Sequence, residues 1–145
     1  MKISVIQLNS GSNKQSNLTD ALNIASEAIK NDKPDLIAFP ELISVNGGTE
    51  FEKVQSAENI PDGETTRLLS EFASNNNVFV HGGSFFERSG DKVFNLNLRL
   101  TKGGSALTIR EYTGKSERKI WKDYTDATDK LINCLLYTSD AADER

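Results

Sequence analysis

From Lys2 to Leu8 apolar and polar residues alternate, a period of two that predicts a strand running into the loop Asn9-Ser10-Gly11-Ser12-Asn13. The period then changes. Leu18, Ala21, Leu22, Ala25, Ala28 and Ile29 recur at spacings of three and four, which predicts a helix over Leu18–Lys30, capped by Asn17 or Ser16 and stopped by Pro34. Leu36-Ile37-Ala38-Phe39 is a short unbroken apolar run of the kind found in strands covered on both faces, ended by Pro40-Glu41. Ser44–Ile60 is polar and predicts a loop with a short helix around Glu50–Val54. After the turn Pro61-Asp62-Gly63-Glu64, the positions of Leu68, Leu69, Phe72 and Ala73 predict a helix over Thr65–Ser74, ended by Asn75-Asn76-Asn77. Val78–Phe86 and Val93–Leu100 flank the tight turn Ser89-Gly90-Asp91 and predict a hairpin with one buried face. Lys102-Gly103-Gly104 turns the chain again into a strand over Ala106–Tyr112.

The order strand, helix, strand, helix, hairpin is that of an α/β domain. The four strands before Lys102 are expected in one mixed sheet, with helices Leu18–Lys30 and Thr65–Ser74 together on one face. The opposite face and one edge would then be uncovered, a situation that favours self-association.

Composition narrows the function classes. The chain has 145 residues, 17 basic against 21 acidic side chains and a net charge of −4, without a block of five Lys or Arg, so it lacks the footprint of a nucleic-acid binder. Its longest uncharged stretches fall far short of the ~20 apolar residues of a membrane span. The start, Met1-Lys2-Ile3-Ser4-Val5-Ile6, reaches Gln7 and Asn9 too soon for a secretory signal, and the expectation is a cytoplasmic protein. No metal-ligand cluster is legible, and Gly82-Gly83 and Gly103-Gly104 lack a phosphate-loop context, so neither metal nor cofactor is expected.

Five stretches stand together in order: Lys2–Asn9, Leu36-Ile37-Ala38-Phe39-Pro40-Glu41-Leu42, Ile60-Pro61-Asp62-Gly63-Glu64-Thr65-Thr66, Val80-His81-Gly82-Gly83-Ser84 and Gly90-Asp91-Lys92-Val93-Phe94-Asn95. Singly each is weak. In register they resemble the first part of the nitrilase superfamily of carbon–nitrogen hydrolases over roughly residues 1–100, and His-Gly-Gly-Ser resembles the branch of deaminated glutathione amidases. The resemblance implies part of an α-β-β-α sandwich and a Glu-Lys-Cys site for a small-molecule amide or nitrile substrate. In it the cysteine attacks the carbon, the glutamate moves protons and the lysine stabilises the tetrahedral oxyanion. It also implies a parent that is a homo-oligomer.

Glu41 matches the family glutamate directly. The lysine departs from pattern. Arg118-Lys119-Ile120-Trp121 carries the Arg-Lys-Ile core of the family motif but arrives late, with Glu117 and Trp121 at its flanks, and Lys119 is preferred over its rival Lys115. Lys115, Arg118, Lys119 and Lys122 also read as a solvated basic face. His81, the single histidine, tempts as a general base, yet it sits inside a strand pattern before two glycines and reads as a structural hydrogen-bonding residue.

The cysteine raises a separate matter. Cys134-Leu135-Leu136-Tyr137-Thr138-Ser139 can be encoded by TGTCTCTTATACACATCT, a transposon end used in library preparation, and Asp140-Ala141-Ala142-Asp143-Glu144 fits its extension. Residues 134–145 are therefore expected to be a cloning or assembly scar, leaving residues 1–133 as the N-terminal part of a hydrolase domain. Cys134 also follows Lys119 too closely for the family nucleophile, and lacks the Cys-Tyr or Cys-Trp context. Two hypotheses follow: a truncated, inactive carbon–nitrogen hydrolase, or a noncatalytic relative that binds a partner.

Overall fold

A computed structural model describes residues 1–111, with side chains described through Ala106. The elements run β1 (Ile3–Val5), α1 (Lys14–Asp32), β2 (Leu36–Ala38), α2 (Glu50–Gln55), α3 (Glu64–Asn76), β3 (Phe79–Ser89), β4 (Lys92–Leu100) and β5 (Ala106–Glu111). The strands form one mixed sheet in the order β1-β2-β3-β4-β5. β1 and β2, and β2 and β3, pair parallel, whereas β3–β4 and β4–β5 are antiparallel.

One face of this sheet carries the core. Alternation along β4 sends Leu96, Leu98 and Leu100 to it, and Ile37 of β2 and Val80 of β3 join them. Leu18, Ala21 and Ala25 of α1 and Leu69, Phe72 and Ala73 of α3 close over that surface. The two helices share one face, as the sequence pattern predicts.

Several boundaries move for physical reasons. The cap of α1 is Asn13, whose side chain accepts from Ser16 N at 3.0 Å, rather than Asn17 or Ser16. Asn17 lies inside the helix, buried, and serves as a clamp. Its Nδ2 donates to Gly11 O at 2.9 Å and Ser44 O at 2.8 Å, while its Oδ1 accepts from Gly11 N at 3.0 Å. The first strand is shorter than the alternation Lys2–Leu8 predicts, because its partner β2 ends at Ala38; Ile6 N makes the last bond, to Ala38 O at 2.8 Å. The short helix α2 has a reciprocal capping box, Thr49 with Glu52, a pattern of side-chain and backbone bonds that stabilises so brief a segment.

The uncovered edge is only partly as expected. On β1, Ile3 and Val5 are 43% and 78% exposed. Leu36, the register neighbour of Ile3, is nevertheless 2% exposed, and Phe79 lies under the Lys102 ammonium, which stands 5.3 Å from its ring centroid. Among the described residues no helix is long and apolar enough to cross a membrane.

Candidate functional site

The parallel strands β2 and β3 set the stage. Residues Gly82 and Gly83 of β3 together oppose Leu98 alone, since His81 pairs with Arg99 and Ser84 with Asn97, and the result is a β-bulge. The bulge bends β3 against the segment leaving β2. Gly83 takes φ +62°, and a Cβ on it would stand 1.8 Å from Pro40 O, so a side chain is excluded both by backbone conformation and by contact.

Three hydrogen bonds then fix the turn that follows Ala38. Phe39 N donates to His81 O at 2.8 Å, Leu42 N to Ser84 Oγ at 3.1 Å, and Ile43 N to Ser84 O at 2.9 Å. Between these anchors Leu42 adopts φ +53°, a conformation that costs a non-glycine residue free energy and that often accompanies sites where a neighbouring side chain must be aimed. That neighbour is Glu41. It stands exposed at the carboxyl end of β2, and its Oε1 accepts from Asn95 Nδ2 of β4 at 3.1 Å.

His81 belongs to the frame rather than the reacting side. Its Nδ1 accepts from Gly83 N at 3.2 Å, which requires that nitrogen to be unprotonated. Burial lowers its pKa below the usual histidine value, and the positive charge of Arg99 lowers it further. A histidine held neutral inside the bulge fits the structural reading of the sequence.

One functional-looking cluster escaped sequence reasoning. Glu58, buried, accepts from Thr65 N at 2.8 Å and from Thr65 Oγ1, and its carboxylate pairs with Lys14 Nζ at 2.6 Å. It supplies the cap that Gly63, the N-cap residue of α3, cannot offer from a side chain. The same bonds tie α1 to α3. Each of its three surfaces, helix end, ammonium and hydroxyl, is met in the fold, so the cluster is a strut. No local spacing announces it, because Lys14, Glu58 and Thr65 are brought together only by the tertiary fold.

Lys119, its rival Lys115 and Cys134 lie outside the described residues. So does the stretch 134–145. Among the described residues no group of three or more His, Cys, Asp or Glu could hold a metal ion.

The family model for carbon–nitrogen hydrolases matches residues 2–132. Among curated proteins, the chain is 38% identical over 133 residues to nitrilase homolog 2 of Dictyostelium discoideum, covering 90% of this chain and 37% of that protein. It is 35% identical over 106 residues to the omega-amidase NIT2 of Mus musculus, covering 73% of this chain and 37% of the relative. The chain thus spans little more than a third of the length of these relatives. The fold is similar to that of Saccharomyces cerevisiae Nit3, a member of branch 10 of the nitrilase superfamily. Its TM-score is 0.70 at 21% identity, over 77% of this chain and 44% of that one.

Proposed function

The chain belongs to the carbon–nitrogen hydrolase family, and we propose that it is the N-terminal portion of an amidase that releases ammonia from a small ω-amide through a Glu-Lys-Cys site. The observation that carries this reading is the presentation of Glu41: a carboxylate at the carboxyl end of a parallel strand, on a turn anchored at both ends by the β3 bulge. Ligand sites of open α/β sheets gather at strand carboxyl ends. The similarity to omega-amidases supports the substrate class.

In this reading Glu41 is the general base and acid. It takes the proton of the cysteine thiol as sulfur attacks the amide carbon, and the carbonyl π electrons move onto oxygen. The lysine ammonium, Lys119 in preference to Lys115, donates to that oxyanion, an interaction worth ~3 kcal/mol of barrier. Collapse expels the amine nitrogen, which leaves as ammonia with the proton from Glu41, and a thioester remains. Water, deprotonated by Glu41, then attacks the thioester; the thiolate leaves and recovers a proton, giving the free acid.

The nucleophile of that reaction is not Cys134. We assign residues 134–145 to a scar, in keeping with a family match that ends at residue 132. The 145-residue chain is accordingly inactive. The test is to extend the genomic reading frame past residue 133 and assay the longer product for ammonia release. A continued frame with a Cys-Tyr-like or Cys-Trp-like motif and turnover abolished by Glu41→Gln supports the reading. A stop codon directly after the matched region, with no activity, favours a noncatalytic binding module.

A further inference from the structure

We infer that Asn95 is a positioning residue that selects the working orientation of the Glu41 carboxylate. This rests on the proposed role of Glu41 as the base. Asn95 lies on β4, an interior strand hydrogen-bonded on both sides, where it pairs with Phe86 of β3 and Glu111 of β5. Its flanking neighbour Leu96 points into the core, so Asn95 stands on the sheet face away from the helices. From that rigid platform Nδ2 donates to Glu41 Oε1 at 3.1 Å, across 54 residues of chain. The amide orientation follows from chemistry, since an ionised carboxylate only accepts.

Two features distinguish this contact from an incidental surface bond. The Glu41 backbone is fixed by the bulge, but its side chain keeps rotatable bonds that the turn does not restrain, and among the described residues Asn95 is the group that bonds its carboxylate. The second feature is Asn95 Oδ1, which is buried and has no hydrogen-bond partner among the described residues. A side chain that merely filled space here would not bury an orphan acceptor, which is costly. The amide is explained by what its nitrogen does, which is to donate to Glu41 Oε1.

Three measurements test this. In the 145-residue chain, the ¹⁵N side-chain amide resonance of Asn95 should move on Glu41→Ala, an exposed position, while the Asn97 amide does not. No movement overturns the inference without any variant of Asn95 having to fold. In the protein with its complete site, Asn95→Leu and Asn95→Asp should each lower kcat about 10- to 100-fold, the scale of a misplaced catalytic group. KM should stay within about twofold and the unfolding midpoint close to wild type. An Asn95→Leu enzyme with unchanged kcat, beside a dead Glu41→Ala, overturns the role of Asn95 and leaves the base assignment standing. Turnover retained in Glu41→Ala overturns both.

Discussion

Gly83→Ala puts the construction of the site under direct strain. The methyl carbon would stand 1.8 Å from Pro40 O, where contacts under 3.0 Å are essentially never tolerated, so the two backbones must separate by about 1.2 Å (3.0 − 1.8). Pro40 cannot yield alone. Phe39 N and Ile43 N bind β3 backbone oxygens on either side of it, at 2.8 and 2.9 Å. The left-handed conformation at φ +62° adds about 1–2 kcal/mol for a residue with a Cβ, and forced overpacking about 1–3 more. The expected loss is about 2–5 kcal/mol, a large share of the ~5–15 kcal/mol of an ordinary domain. Gly90→Ala is the internal control, for Gly90 has φ +60° but nothing within 4 Å of a new Cβ, and it should lose only the conformational part, about 1–2 kcal/mol. Urea unfolding of both variants, compared at equal slope, measures the difference. Equal losses in the two variants would refute the claim that close contact with Pro40 holds the Glu41 turn. In the complete enzyme the same displacement should reduce kcat about 100-fold.

Further outcomes are expected at the supporting positions. Glu58→Ala removes the cap of α3 together with the nearer of the two carboxylates paired with Lys14, Glu64 being the other, and should cost about 2–4 kcal/mol by urea unfolding; a loss under about 0.5 would mean that the strut is idle. Asn17→Leu takes the Asn17 bonds from Gly11 N and Ser44 O, and one of three donors from Gly11 O, and should cost about 2–4 kcal/mol, whereas a neutral result would remove Asn17 as the clamp between Gly11 and Ser44. His81 has a folded pKa below its unfolded value of about 6.5, so the unfolded chain binds the extra proton. Its contribution is intact above about pH 6.5 and is lost as pH falls through that value toward the folded pKa. His81→Asn should flatten that part of the stability profile below about pH 6.5, and a wild-type-minus-variant difference independent of pH would contradict the assignment.

The parts of the fold written in local periodicity were legible. The stripe Leu18-Ala21-Ala25 and the alternation Leu96-Leu98-Leu100 each mark a buried face without reference to anything distant, and both face the core as read. The place of Glu41 at the carboxyl end of β2 was legible because strand, Pro and Glu stand in one short motif. Its surroundings were not. Asn95 is 54 residues away and became a partner only through the β3–β4 register, and the bulge at Gly82-Gly83 cannot be read from two glycines without the strand opposite. The misplaced cap has a similar origin: Asn13, Ser16 and Asn17 are all capping residue types, and what separates them is that Asn17 is needed to hold Gly11 and Ser44. The two candidate lysines, four residues apart in a departing motif, are separated by no such contact within residues 1–111.

The central claim is that Glu41 is the proton-transfer group of an amidase site, and ammonia release from a simple ω-amide by the completed reading frame tests it most directly. That protein should turn over, with a kcat at least ~100-fold lower in Glu41→Gln, the scale of lost general acid–base catalysis. The 145-residue chain and its Cys134→Ala variant should release none. Full activity in Glu41→Gln would contradict the claim, as would turnover by the 145-residue chain that disappears with Cys134.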